Sequence, residues 1–202
     1  MDVADGSGTT TMTQWRTRAL WLAWATVAWN VVEATVSTWA GLRAGSTALV
    51  GFGIDAGIET FSAGVVIWQL QGRDEARERR AMRLIGWGFF LLAAWITVES
   101  VRGLLDGTAV DPSPVGIAIT VLSLVVMPVL ALAKRRVGSA MGSRVVLADA
   151  QETFLCTYLS AIVLVGLVLN ATLGWWWADP IAALGVAWLA VGEGLDAWED
   201  DD

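Results

Sequence analysis

Two carboxylates, Asp55 and Glu59, lie four residues apart in the middle of an apolar segment, residues 48–70. This spacing places both on one face of a helix, one turn apart. The segment is long enough to cross a bilayer, where a single carboxylate costs about 3 kcal/mol on insertion scales. The pair must therefore face a bundle interior, a cavity or a bound cation rather than lipid.

A second apolar segment, residues 145–169, carries three further groups that could bind a cation: Asp149, Glu152 and Cys156. Their separations of three and four residues place them on one broad helix face. An inverted repeat of three spans would bring the polar faces of the two segments together near the middle of the membrane. We therefore expect the two faces to form one site.

The chemistry of such a site follows from its ligands. Carboxylates with one optional sulfur neutralise a divalent cation, and four ligands from two helices can supply tetrahedral geometry. Without metal, the crowded acids should hold at least one proton near neutral pH. Competition between metal and protons is the chemistry of an antiporter. The tripeptide Glu-Thr-Phe occurs at both 59–61 and 152–154, and this repetition favours Asp149 over Cys156 as the second ligand of the later segment.

The elements that position these groups are apolar runs of bilayer length. Apolar residues make up 55% of the 202 residues, which exceeds the fraction of about 45–50% that is usual in soluble domains. The prediction is an all-α, polytopic membrane protein with six transmembrane helices. The runs are residues 20–42, 48–70, 84–105, 115–133, 145–169 and 176–195.

The basic residues predict the orientation. Nearly all of them fall on one side of a six-span arrangement, which the positive-inside rule makes cytoplasmic, together with both termini. Lys134-Arg135-Arg136 is interpreted as a cytoplasmic anchor of the fourth run. The expected organisation is a flexible cytoplasmic N-terminus (1–15), a transmembrane domain (16–196) and a short acidic tail (197–202). The expected location is a membrane, the plasma or inner membrane in a prokaryote.

Several function classes are excluded by composition. The chain has no histidine, which removes Ser-His and Cys-His hydrolysis, and its single cysteine allows no intrachain disulfide. We expect no enzyme; an intramembrane aspartyl protease is disfavoured because Ile54 stands where its motif needs aspartate. The net charge of −7 lies largely in the membrane interior, the outer loop and the tail. No basic surface is left for nucleic acid.

Three further polar residues lie in the first and last runs. Asn30 and Glu33 are three residues apart in the first run, where an interhelical polar contact is the simplest interpretation. Glu33 needs a proton, a cation or a partner from another helix. Asp179 precedes Pro180 and is suited either to cap the last helix or to assist a metal.

With these features the chain resembles the transmembrane domain of the cation diffusion facilitators over residues 20–195. The resemblance rests on six spans with cytoplasmic termini and on three motifs. The motifs are Ser46-x-Ala48-Leu49 leading to Asp55 and Glu59, Ala148-Asp149-Ala150-x-Glu152-x-x-x-Cys156, and Trp177-Ala178-Asp179-Pro180.

The resemblance implies a proton-coupled efflux transporter for divalent metal, with Asp55, Glu59, Glu152 and Cys156 at the ligand positions. Zinc is the expected cargo; manganese, ferrous iron and cobalt are alternatives, because the fifth helix offers Glu and Cys where the family usually has His and Asp. We also expect the chain to lack the family's usual cytoplasmic domain, which leaves a homodimer within the membrane open. The alternative function is a membrane protein that binds metal or stabilises a partner without transport.

Overall fold

Six helices make up the described part of the chain, which comprises residues 6–44, 47–72, 75–107, 113–175 and 177–199 of a computed structural model. No strand occurs within these ranges. Each of the first five helices contains one predicted apolar run and the sixth run, 176–195, overlaps the last helix, so the all-α prediction is confirmed. The helices are α1 (Gly6–Ala44), α2 (Thr47–Leu70), α3 (Glu75–Asp106), α4 (Pro114–Met141), α5 (Arg144–Leu173) and α6 (Ala178–Glu199).

The ends of α4 show how local sequence sets a helix boundary. Ser113 caps the N-terminus, where its side chain accepts a hydrogen bond from the backbone N–H of Gly116. Pro114 follows at the first helical turn, where its missing N–H costs nothing. The helix ends at Gly142, whose φ of 62° is a left-handed conformation that glycine adopts without strain.

The surface of the bundle is that of a membrane protein. Four helices, α1 to α4, are long and apolar enough to cross a bilayer by length and composition. Large apolar side chains point outward, with Trp188 and Leu105 each 80% exposed and Trp21 73% exposed. The chain is therefore a multi-pass membrane protein, as predicted. Its orientation and domain boundaries stay predictions, and residues 1–5 and 200–202 lie outside the described ranges.

The helices pack as a group of four with a pair beside it. In the group, α1 contacts α2 and α4, and α5 contacts α2 and α4. The pair, α3 and α6, contacts this group through α2 and α5. The equivalent helices of the two halves, α1 with α4, α2 with α5 and α3 with α6, thus touch, as expected for a three-span repeat. The prediction that α2 and α5 lie together is confirmed.

The contact between α1 and α2 depends on a missing side chain. A Cβ atom at Gly53 would lie 3.0 Å from both the carbonyl oxygen of Ala34 and the backbone nitrogen of Thr38, and closer still to the Thr38 hydroxyl. Gly57, one turn later in α2, is exposed and has no such neighbour within 4 Å. Gly53 therefore sets the distance between α1 and α2, and Gly57 does not.

We expect Gly53→Ala to lower the free energy of unfolding by about 1–3 kcal/mol, because the added methyl group pushes α1 away from α2. Gly57→Ala is the matched control, and should be neutral or stabilising by up to about 1 kcal/mol through its higher helix propensity. Unfolding in mixed detergent micelles measures both. Equal effects at the two positions would contradict the assigned contact.

Candidate metal site

All five groups of the predicted site lie inside the bundle. Asp55, Glu59 and Asp149 are each 1% exposed, and Glu152 and Cys156 are equally buried. None of them faces the lipid, as their cost in hydrocarbon requires.

The α2 and α5 sets are joined by a direct hydrogen bond. The Thr153 hydroxyl, on α5, lies 2.6 Å from Glu59 Oε1, on α2, and donates to it. The same hydroxyl lies 3.0 Å from the carbonyl oxygen of Asp149, one turn earlier in its own helix. Thr153 thus fixes the Glu59 carboxylate against α5, and the two sets form one buried cluster.

A lysine lies within this cluster, and its position there was not predicted from the sequence. Lys134 Nζ, from α4, lies 2.9 Å from Asp149 Oδ2, 2.9 Å from Thr153 Oγ1 and 4.0 Å from Glu59 Oε1. The lysine side chain is 1% exposed. The interpretation of Lys134 as a cytoplasmic anchor is therefore wrong, whereas Arg135 and Arg136 are indeed exposed.

Lys134 is buried because of the helical periodicity of α4. Met127, Ala131 and Lys134 are spaced four and three residues apart, and all three are buried on one face. The two arginines after Lys134 fall outside this face. A buried lysine costs free energy unless it is paired, and here the carboxylates of α2 and α5 supply the pairing.

Many carboxylate oxygens of the cluster have no close hydrogen-bond donor. Buried acceptors with no donor are costly in a protein interior, and in an acid cluster a cation or a proton satisfies them. Among the described residues, no three His, Cys, Asp or Glu side chains lie close enough together to bind one metal ion in this arrangement. The unpartnered oxygens are both of Asp55, both of Glu152, Oε2 of Glu59 and Oδ1 of Asp149.

Helix α3 approaches the cluster through a glycine. A Cβ atom at Gly88 would lie 3.5 Å from Glu152 Oε1 and 3.2 Å from the hydroxyl of Ser62, one turn after Glu59 on α2. Ser62 is fully buried. Helix α3 therefore contacts the acid cluster at Gly88, a position without a side chain.

Of the two auxiliary residues of α1, Glu33 forms polar contacts and Asn30 does not. Glu33 is buried and accepts hydrogen bonds from Trp29 Nε1 in its own helix and from the Ser123 hydroxyl of α4 at 2.8 Å. The partner that this acid needs from another helix is thus Ser123. Asn30 is buried without a hydrogen-bond partner for its amide. The side chain of Asp179 lies outside the described part of the chain.

A cavity of about 310 Å³ opens at the end of the bundle predicted to be cytoplasmic. Its wall includes Ala148 and Gln151, neighbours of the buried Asp149 and Glu152, and charged groups from α4 and α6. Gln151 Nε2 donates to Glu193 Oε1 across this space at 3.4 Å. The cavity thus borders α5 next to its two buried acids, which are themselves at most 1% exposed.

Comparison with known proteins identifies the family. The family model of the cation efflux transmembrane domain matches residues 84–199, which is more than half of the chain. The chain belongs to the cation efflux family. The resemblance to cation diffusion facilitators seen in the sequence is thereby confirmed, and the family match includes α5 with its three groups.

Curated relatives of this cation efflux protein extend the match. An uncharacterized transporter of Synechocystis is 28% identical over 154 residues, which is 70% of this chain and 49% of the relative. The cation-efflux pump FieF of Shewanella oneidensis is 36% identical over 84 residues, 42% of this chain and 28% of the pump. The magnetosome protein MamB of Magnetospira is 24% identical over 178 residues, 83% of this chain and 60% of MamB. The chain thus spans 28–60% of the length of these relatives.

The role of Thr153 gives a test of the site's architecture. Thr153→Val keeps the shape of the side chain but leaves Glu59 Oε1 without its donor, and we expect it to lower the free energy of unfolding by about 1–3 kcal/mol. Thr157→Val is the control, because the Thr157 hydroxyl bonds only to the backbone carbonyl of Thr153. Its effect should stay within about 0.5 kcal/mol. Equal losses in the two variants would mean that the Glu59 bond contributes nothing.

Proposed function

We propose that this cation efflux protein is a proton-coupled transporter of divalent metal, an efflux antiporter with zinc as its expected cargo. The observation that carries the proposal is the charge of the buried cluster. Asp55, Glu59, Asp149 and Glu152 face a single buried ammonium, so full ionisation would leave three negative charges uncompensated. Such an imbalance is too costly inside a membrane bundle unless protons or a cation bind.

Proton coupling follows from the same imbalance. A divalent ion and protons neutralise the same carboxylates, so binding one displaces the other. If the bundle exposes the cluster to each side of the membrane in turn, a proton gradient drives the metal the opposite way. The cavity beside α5 supports access from the predicted cytoplasmic side, and membership of the cation efflux family supports outward transport.

Metal preference depends on the ligand atoms. Carboxylate oxygens suit manganese and ferrous iron as well as zinc, while the sulfur of Cys156 favours zinc. Cys156 is buried one turn after Glu152 on α5, and this position supports a role for its sulfur in a metal site with the acids of the cluster. A homodimer within the membrane and a functional unit of residues 16–196 are part of the same proposal.

Sealed proteoliposomes with an imposed proton gradient test the proposal directly. We expect gradient-dependent zinc uptake by the wild type and a loss of at least about tenfold in Asp55→Asn and Glu152→Gln, because each removes a charge that no other group replaces. Glu75→Gln, an exposed acid at the start of α3, is the control and should transport normally. Metal binding without uptake by folded protein would instead favour the non-transporting metal-binding function.

Cys156→Ser tests the assigned sulfur ligand. Replacing the soft thiolate by a hydroxyl should shift preference from zinc and cadmium toward manganese by about tenfold. The measurement is the ratio of uptake rates for the two kinds of metal in the same vesicles, with wild-type protein as reference. An unchanged ratio would exclude Cys156 as a ligand.

A further inference from the structure

The buried lysine occupies the position where a cargo cation would be expected. Lys134 Nζ lies between the acid sets of α2 and α5, within 4.0 Å of a carboxylate oxygen from each. Its role is not explained by anchoring, because the side chain is 1% exposed and the neighbouring Arg135 and Arg136 already face outward. A contribution to stability explains the buried lysine poorly, because replacing a buried ion pair by apolar side chains often does not lower the free energy of unfolding.

The contacts of Lys134 divide the cluster unequally. Asp149 Oδ2 is in direct ionic contact at 2.9 Å, whereas Glu59 Oε1 is 4.0 Å away and is reached through the Thr153 hydroxyl. Asp55 and Glu152 form no ion pair with Lys134, and apart from the neighbouring Cys156 thiol and Ser62 hydroxyl their oxygens have no close donor among the described residues. Asp149 is thus paired with the lysine, and Glu59 interacts with it more weakly. Asp55 and Glu152 remain available to another cation.

We propose that Lys134 is a tethered cation that competes with the transported metal for Glu59 and holds Asp149 outside the metal's coordination shell. This inference rests on the proposed transport function and deepens it. The metal would then take Asp55, Glu59, Glu152 and Cys156, and Asp149 would serve as the counter-ion of the lysine. The choice between Asp149 and Cys156, which spacing leaves open, is thereby made in favour of Cys156.

Competition of this kind has a clear physical consequence. A divalent ion bound at Glu59 would place two positive charges close to an ammonium group in a medium of low dielectric constant, and the repulsion is large there. The lysine therefore weakens metal binding and, when the metal leaves, compensates part of the exposed negative charge. A site that binds too tightly cannot release its ion, so moderate affinity serves transport.

The first experiment compares zinc affinity in the purified full chain by isothermal titration calorimetry at one pH. Lys134→Met removes the ammonium while keeping much of the apolar stem, and we expect the Kd for zinc to fall by about tenfold or more. Arg136→Met is the matched control, since it removes an exposed positive charge two residues away; its Kd should not change. An unchanged or weaker affinity in Lys134→Met would overturn the proposal.

A double variant separates competition from a structural role. Lys134→Met with Asp149→Asn removes both members of the ion pair, so that Asp149 is not left as an additional unpaired buried charge that could disturb folding. If Asp149 is only the counter-ion of the lysine, the double variant binds zinc at least as tightly as the wild type. If Asp149 is a metal ligand, it binds at least about tenfold more weakly, and the proposal fails.

The outcomes also distinguish this inference from the proposed function. Zinc binding that Asp55→Asn abolishes, together with an unchanged Kd in Lys134→Met, would leave the transporter proposal standing and reject the tethered cation. A wild type that is folded by circular dichroism but binds no zinc would reject both. Metal release from preloaded vesicles gives an independent readout, because tighter binding in Lys134→Met should slow release.

Discussion

The four carboxylates of α2 and α5 must be held inside an apolar bundle, and this requirement shapes the rest of the structure. In hydrocarbon each acid needs a donor, a proton or a cation, because water cannot supply the missing interaction. The chain meets part of the need with its own groups: Thr153 donates to Glu59, and Lys134 pairs with Asp149. The remainder is unmet by the described side chains. Under the proposed function, these carboxylate oxygens without a close donor are the ones that a metal ion or protons would bind.

Close helix packing brings these groups together. Gly53 lets α1 approach α2, and Gly88 lets α3 approach the α2 and α5 acids. The α3–α6 pair has its own cohesion, in which the ring of Trp198 packs edge-on against those of Trp87 and Phe90 at 5.3 and 5.5 Å. The pair can thus keep its internal contacts while resting on the acid cluster through a glycine. Such a division between a cohesive pair and a polar group of four helices is what exposure to alternate sides would require.

The sequence predicted the number and position of the helices because bilayer length depends only on local sequence, and it predicted the meeting of α2 with α5 from an inverted repeat of three spans. It did not predict Lys134. The positive-inside rule counts a lysine at the end of a span as cytoplasmic, and only the phase of α4, through Met127 and Ala131, shows that this lysine turns inward. Nor could spacing decide between Asp149 and Cys156, since both lie on one face of α5. That choice depends on which group a third helix contacts.

The buried lysine changes how the cluster should be understood. Four acids alone would have to bind several protons whenever metal is absent, and each proton would then have to leave before the next ion binds. In the mechanism proposed here, the Lys134 ammonium compensates one of those charges, and its ion pair with Asp149 would remove that acid from the competition between metal and protons. Only the three acids beyond that ion pair, Asp55, Glu59 and Glu152, are then left to exchange a divalent ion for protons. In the proposed antiporter, the charge carried by α4 would therefore influence how many protons are coupled to each metal ion, through a residue that binds neither.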